Sequence, residues 1–199
     1  HYAALIGDSN INLEMEAEVP CEIKVKPLDK MKLCDIESRI TAESDIDPDR
    51  TAMLILHAGS HEWSTSRASD TIVTADHVYK QYTGIIENMG DKFTHTEFVI
   101  SGIPPRKPAR ANGQRITEIN SEINELNDRL EEYCSQNGYL TFVDHRPLIS
   151  PGSEIDQSLF LNSVELNKKG KQLILQNIFD KIPYALSRWG KRNSDLLDT

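Results

Sequence analysis

The chain has 199 residues, enough for one domain with a sizeable hydrophobic core. Apolar residues make up 38% of it and charged residues 27%, as in ordinary globular chains, and no apolar run approaches the length of a membrane span. The net charge of −9 argues against a general phosphate-binding surface. We therefore predict a single domain over residues 1–185, followed by a polar C-terminal tail at residues 186–199.

The chain contains three cysteines, Cys21, Cys34 and Cys134, an odd number without CxxC spacing. This pattern argues against a disulfide framework and against a structural zinc site, and it favours a reducing, intracellular compartment, cytoplasmic or nuclear. No signal peptide is visible, and the chain begins directly in a predicted strand, as a domain cut from a longer protein would.

Hydrophobic periodicity predicts an alternation of strands and helices. In chain order, the patterns predict strands at residues 2–6 and 21–25, a helix at 33–42, a strand at 52–56, a helix over 78–89, a strand at 97–100, a helix over 116–133, a strand at 140–143 and a last helix after Asn167. Gly90 and Gly138 stand where helices would end, and Asn167 is a suitable N-cap. Residues 104–113 and 146–158 are predicted to be loops.

Strands that alternate with helices indicate βαβ units and a parallel sheet. We therefore predict an α/β fold, a three-layer α/β/α sandwich with a five-stranded parallel sheet. Such folds place their sites at the carboxyl end of the sheet. Three segments stand at or near such positions, namely Gly7-Asp8-Ser9, Gly59-Ser60-His61-Glu62 and the segment from Asn162 to Asn167.

These segments, in this order, resemble the SGNH (GDSL-type) hydrolases, whose first, third and last blocks read Gly-Asp-Ser, Gly-x-Asn-Asp and Asp-x-x-His-Leu-Asn. The family's second block, between the first and the third, contributes a glycine. The stretch from Phe160 to Gly170 is also similar to a pattern common in SGNH-like domains of animal transposable-element proteins. The resemblance runs over nearly the whole chain. It implies a flavodoxin-like SGNH fold and serine-dependent hydrolysis of carboxylic esters, with no cofactor.

The resemblance also implies roles for individual residues. Ser9, preceded by Asp8, would be the nucleophile, with Gly59 beside the oxyanion-binding turn. In this chain the oxyanion asparagine is replaced by His61, the orienting aspartate by Asn162 and the base histidine by Glu165, while the glycine of the second block falls near Lys30. A carboxylate is a weaker base than imidazole by about two pKa units.

The replacements lead to three hypotheses. The favoured one is a catalytically degenerate, pseudoenzyme-like domain that acts in protein interaction or assembly with an unknown partner. The alternative is a serine esterase in which His61 serves Ser9 as base and Glu165 orients His61, because triads are defined by geometry rather than by position. His57 and His61 share one strand face, but no third ligand is placed beside them, so no metal site is predicted.

The third hypothesis is nucleic-acid binding through local basic patches, which the acidic balance of the chain disfavours. The basic clusters are Arg106, Lys107, Arg110 and Arg115; Lys168, Lys169 and Lys171; and Arg188, Lys191 and Arg192. Their simplest interpretation is as solvated faces and a basic tail.

Overall fold

The computed structural model describes residues 1–8, 21–27, 32–42, 46–63, 71–108 and 113–194. Ser9 and Lys30 lie outside these ranges. The strands are β1 (Tyr2–Gly7), β2 (Ile23–Pro27), β3 (Thr51–His57), β4 (Glu97–Ser101) and β5 (Leu140–Val143). They form one five-stranded sheet in the order β2-β1-β3-β4-β5. Every neighbouring pair is parallel, which confirms the predicted sheet.

Helices cover both faces of this sheet. They are α1 (Leu33–Ala42), α2 (Ala75–Lys92), α3 (Gly113–Gln136), α4 (Arg146–Ile149), α5 (Lys168–Phe179) and α6 (Ile182–Arg192). Successive strand residues point to opposite faces, so one strand contributes to two cores. In β3, Leu54 packs with α1, α2 and α3, whereas Met53 packs with α4, α5 and α6. The predicted three-layer α/β/α architecture is therefore confirmed.

Local sequence signals explain several helix ends. The Thr74 side chain accepts a hydrogen bond from the backbone N–H of His77 and caps α2. The Asn167 side chain accepts from the N–H of Gly170, so the predicted cap of α5 is confirmed. Helix α2 continues two residues past Gly90 to Lys92, because Phe93 rather than the glycine supplies the C-cap. No described helix is both long and apolar enough to cross a membrane.

The predicted polar tail at residues 186–199 begins inside a helix, because residues 182–192 form helix α6, while residues 195–199 lie outside the described ranges. Ile182, Ala185 and Trp189 recur at helical spacing and are buried against the sheet, while polar residues occupy the other face. Pro183 lies in the first turn, where the missing N–H costs nothing. The short amphipathic stripe is easily overlooked among the charged residues that surround it.

Two predicted loops also differ from the structure. Residues 146–158 include helix α4 and two short 3-10 turns, Pro151–Ser153 and Gln157–Leu159. Residues 104–106 are buried rather than on the surface. There Asn120 of α3 accepts a hydrogen bond from the backbone N–H of Arg106 and donates one to its carbonyl oxygen. Backbone polar groups can be buried in a loop when side chains pair with them in this way.

Candidate active site

The first and third sequence blocks meet at the carboxyl edge of the sheet. Gly7 pairs in register with His57, where β1 and β3 end side by side. The backbone N–H of Asp8 donates to the carbonyl of His57 at 2.9 Å, which extends the ladder by one residue. Asp8 is therefore held beside the turn that follows β3.

Gly59 opens that turn in a conformation that favours glycine. Its φ is +103°, in the left-handed region. A Cβ atom there would lie 2.9 Å from Cδ1 of Ile103 and 3.2 Å from Cε2 of Tyr82. The Tyr82 hydroxyl donates to the carbonyl of Ala58, and burial raises the pKa of this phenol, so it remains a neutral donor. Both the backbone angle and the available space therefore require glycine at position 59.

The Asp8 carboxylate is buried, and the side chains of Ser60 and His57 lie against it. The Ser60 hydroxyl donates to its Oδ2. Nε2 of His57 lies 3.6 Å from its Oδ1, which is longer than a hydrogen bond and leaves an electrostatic contact. Burial lowers the pKa of His57, and the Asp8 carboxylate partly offsets that effect. A neutral imidazole therefore faces the carboxylate.

The turn Ser60–Glu62 is a single 3-10 turn that presents His61. Side chains hold the turn on both sides of His61. The buried Glu62 accepts from the backbone N–H of Leu33 at 2.6 Å. Arg106 donates through Nη2 to the carbonyls of Ser60, at 2.7 Å, and Trp63. His61 itself is half-buried, and its Nε2 has no hydrogen-bond partner among the residues described.

Arg106 is a buried cation that binds carbonyl oxygens. It is 3% exposed, and its Nη1 has no hydrogen-bond partner in the described part of the chain. Burial lowers its pKa to about 10. The sequence predicted that Arg106 belongs to a solvent-facing basic cluster, but its burial keeps it from that surface.

The last block forms a compact loop between two buried apolar residues. Phe160 and Leu166 make an isolated antiparallel bridge, which brings the two ends of the loop together. Within the loop, Oδ1 of Asn162 accepts from the backbone N–H groups of Val164 and Glu165, each at 2.9 Å. Its Nδ2 donates to Oε2 of Glu165 at 2.9 Å. Asn162 thus organises the loop and also occupies the Glu165 carboxylate.

The backbone connects this loop to the rest of the carboxyl edge. The N–H of Lys107 donates to the carbonyl of Ser163 at 3.0 Å, and Lys107 follows the arginine that holds the third-block turn. His61 and Glu165 are joined by neither a hydrogen bond nor an ion pair within the described ranges. The roles of Ser9 and Lys30 stay predictions, because both residues lie outside those ranges.

Sequence reasoning missed a buried polar row behind this edge. Ser101 ends β4 and His145 follows β5, and the two side chains are 2.6 Å apart. Ser101 also lies 2.7 Å from Nδ1 of His57, and Asn177 of α5 lies 2.9 Å from Nδ1 of His145. The available signal was positional, since these polar residues end or follow successive parallel strands at the edge where sites form.

Among the described residues, no group of three or more His, Cys, Asp or Glu side chains could hold a metal ion.

The basic clusters are partly neutralised. Arg188 and Arg192 form ion pairs with the buried Glu97 at 3.3 and 2.9 Å, so neither is a free phosphate-binding cation.

No protein-family model matches the chain, and no curated protein sequence matches it. Solved structures do match. A GDSL-like lipase from Bacteroides thetaiotaomicron aligns with a TM-score of 0.68 at 13% identity, covering 92% of this chain and 88% of that one. A member of the lipolytic G-D-S-L family from Veillonella parvula aligns at 0.65 and 16% identity, covering 90% and 96%.

A carbohydrate esterase of family 3 from Talaromyces cellulolyticus aligns with a TM-score of 0.65 at 13% identity, covering 94% of this chain and 99% of that chain. The agreement extends over nearly the full length of each pair, and it includes the five-stranded parallel sheet with helices on both faces. The chain therefore has the fold of the SGNH (GDSL-type) hydrolases.

Proposed function

We propose that this chain is a catalytically degenerate SGNH-type domain that acts by binding a protein partner rather than by hydrolysing esters. The observation that most supports this is the hydrogen bond between Asn162 and Glu165. Glu165 stands where the family pattern has the histidine base. One oxygen of its carboxylate, Oε2, already accepts a hydrogen bond from the amide of Asn162. An activated serine needs a nearby group that is free to accept its proton.

The third block supports the same proposal. His61 replaces the asparagine that would donate to the oxyanion, and loss of one such donor typically costs about 100-fold to 1000-fold in kcat. Base and oxyanion donor act as a unit, so their joint replacement should leave little rate enhancement. The free thiols of Cys21, Cys34 and Cys134 fit a reducing, intracellular location, which is part of the proposal.

The test compares wild type with Ser9→Ala for hydrolysis of short aryl esters and for labelling by a fluorophosphonate probe. We expect the two proteins to be nearly equal in both measurements. A wild-type rate more than about 100-fold above the variant, the size of a modest general-base effect, would contradict the degenerate assignment.

One observation favours a second candidate, a serine esterase that uses His61 as base. Nε2 of His61 has no hydrogen-bond partner among the described residues, so this nitrogen is available to a nearby hydroxyl. In that case His61→Gln should abolish Ser9-dependent labelling. His77→Gln, at an exposed histidine of α2, is the matched control and should leave labelling unchanged.

A further inference from the structure

A row of polar side chains crosses the sheet just behind its carboxyl edge. Its members lie one after another in the order Asp8, His57, Ser101, His145 and Asn177, which come from the ends of β1, β3, β4 and β5 and from α5. The first four are at most 2% exposed. Buried polar groups are costly unless each donor meets an acceptor, so the row must have a definite pattern of protons.

The pattern is determined at the α5 end. Nδ2 of Asn177 lies 2.8 Å from the carbonyl oxygen of Asp144, which can only accept, so Asn177 presents its amide nitrogen there. The same nitrogen lies 2.9 Å from Nδ1 of His145. That nitrogen must therefore accept, and the proton of a neutral His145 is on Nε2.

The same order of donors and acceptors continues across the sheet from His145 to His57. Nε2–H of His145 donates to Oγ of Ser101 at 2.6 Å, which leaves the hydroxyl proton to go to Nδ1 of His57 at 2.7 Å. His57 consequently has its proton on Nε2, which faces Oδ1 of Asp8 at 3.6 Å in an electrostatic contact rather than a hydrogen bond. The opposite tautomer would place a lone pair against that carboxylate.

The surroundings keep both histidines neutral. Burial lowers the pKa of His57, and it lowers that of His145 well below the ordinary value, with His57 as a smaller cause. A second proton on His145 would also put Nδ1–H against the amide N–H of Asn177. The one-way order of donors is therefore compatible only with neutral rings.

Ser101, His57 and Asp8 have the connectivity of a nucleophile, a base and an orienting carboxylate. Their burial excludes that role, because Ser101 is 0% exposed and lies within the sheet, where no substrate reaches it. The row is a means of positioning rather than a second reaction centre.

We propose that Asn177 is a positioning residue that acts through His145 and Ser101. It fixes which nitrogen of His57 is protonated and thereby holds the Asp8 carboxylate in place. Asp8 immediately precedes Ser9 and accepts from Ser60, so this row connects α5 to the first and third sequence blocks. The inference holds whether or not Ser9 still performs acyl transfer.

The test is nuclear magnetic resonance of protein labelled with ¹⁵N-histidine, at neutral pH. Long-range ¹H–¹⁵N spectra distinguish the two neutral tautomers from the imidazolium. In wild type we expect both His57 and His145 to be neutral with the proton on Nε2. A Nδ1–H tautomer or an imidazolium at either residue would overturn the proposal.

Asn177→Asp replaces the terminal donor by an acceptor. We expect the tautomers of His145 and of His57 both to reverse, and the carboxyl ¹³C resonance of Asp8 to shift. Asn120→Asp is the matched control, because Asn120 also donates to a backbone carbonyl, that of Arg106, and its hydrogen bonds among the described residues involve no histidine. It should leave both tautomers unchanged. Reversal at His145 alone, or at neither residue, would show that the row does not transmit the order.

If Asn177→Asp does not fold, Ser101→Ala tests whether the row determines the tautomer of His57. His145 should keep its Nε2 proton, because Asn177 still faces it. His57 should gain a measurable Nδ1–H population, because only the 3.6 Å contact with Asp8, which is not a hydrogen bond, then favours Nε2–H. If His57 remains entirely in the Nε2–H form without Ser101, Asp8 alone fixes it and the proposed role of Asn177 is wrong.

Discussion

The amide nitrogen of Asn162 lies 2.9 Å from Oε2 of Glu165, so the two residues make a side-chain contact across three positions. In the proposed alignment, these two positions are those of the family's aspartate and histidine. An amide that donates to a carboxylate would then stand where the family pattern has a carboxylate that orients an imidazole.

Restoring the three family residues tests whether the scaffold still supports catalysis. We expect His61→Asn, Asn162→Asp and Glu165→His together to give measurable Ser9-dependent hydrolysis of aryl esters. Base and oxyanion donor each contribute on the order of 100-fold or more where geometry permits, and they act as a unit. Each single variant should therefore stay near background. A folded triple variant with no gain would mean that these positions are not held near Ser9.

Gly59 should be intolerant of a side chain. Gly59→Ala adds a Cβ at φ +103° that meets Ile103 and Tyr82, and we expect a loss of about 1–3 kcal/mol in the free energy of unfolding, the usual cost of such strain. Urea denaturation measures it. Gly90→Ala is the control, because it lies inside α2 with nothing within 4 Å of the new atom. There we expect a gain of about 0.5–1 kcal/mol from helix propensity. Equal effects at the two sites would contradict this account.

Glu97 attaches α6 to the amino edge of the sheet. Its side chain is 0% exposed, and it faces Arg188 and Arg192 at 3.3 and 2.9 Å, although neither contact has hydrogen-bond geometry. Burial raises the pKa of Glu97, and the two arginines oppose that effect. Replacing both arginines by glutamine leaves a buried charge unpaired, so we expect a loss of about 3 kcal/mol in unfolding free energy.

Adding Glu97→Gln to that double variant should recover part of the loss, because the uncompensated charge is removed. The control is Lys80→Gln, which breaks the exposed pair of Lys80 with Asp76 and should have no measurable effect. A triple variant as unstable as the double variant would show that the charge of Glu97 is not the cause.

The buried histidines should make stability depend on pH. The pKa values of His57 and His145 are lowered in the folded state, so the unfolded chain binds more protons as the pH falls below about 6.5. Their contribution is complete above that pH and declines below it, by at most about 1.4 kcal/mol per pH unit for each histidine. Urea midpoints between about pH 7 and about pH 5 measure the slope.

His145→Gln should have a shallower slope over the same range, since one of the two groups no longer titrates. A slope equal to that of wild type would show that His145 is protonated equally in the folded and unfolded states.

The sequence alone was enough to establish the layered fold. The apolar run at residues 52–56 has no polar member, which is the pattern expected of a central parallel strand covered on both faces. The cap at Asn167 follows equally from local chemistry, because an asparagine there satisfies N–H groups of its own helix. Periodicity and caps depend on residues that are close together in the chain, so both can be recognised from the sequence alone.

The buried polar row could not be predicted in the same way. Ser101 and His145 are 44 positions apart, and their contact exists only because β4 and β5 are neighbours in the sheet. The burial of Arg106 likewise depends on Asn120 and on the turn at Ser60, which no local pattern indicates. The sequence by itself determined the five strands, the helices between them, and the position of Asp8 and of the Gly59 turn at the carboxyl edge of the sheet. Only the tertiary structure decided which polar side chains meet there, because hydrogen bonds between distant residues form where packing brings the elements together.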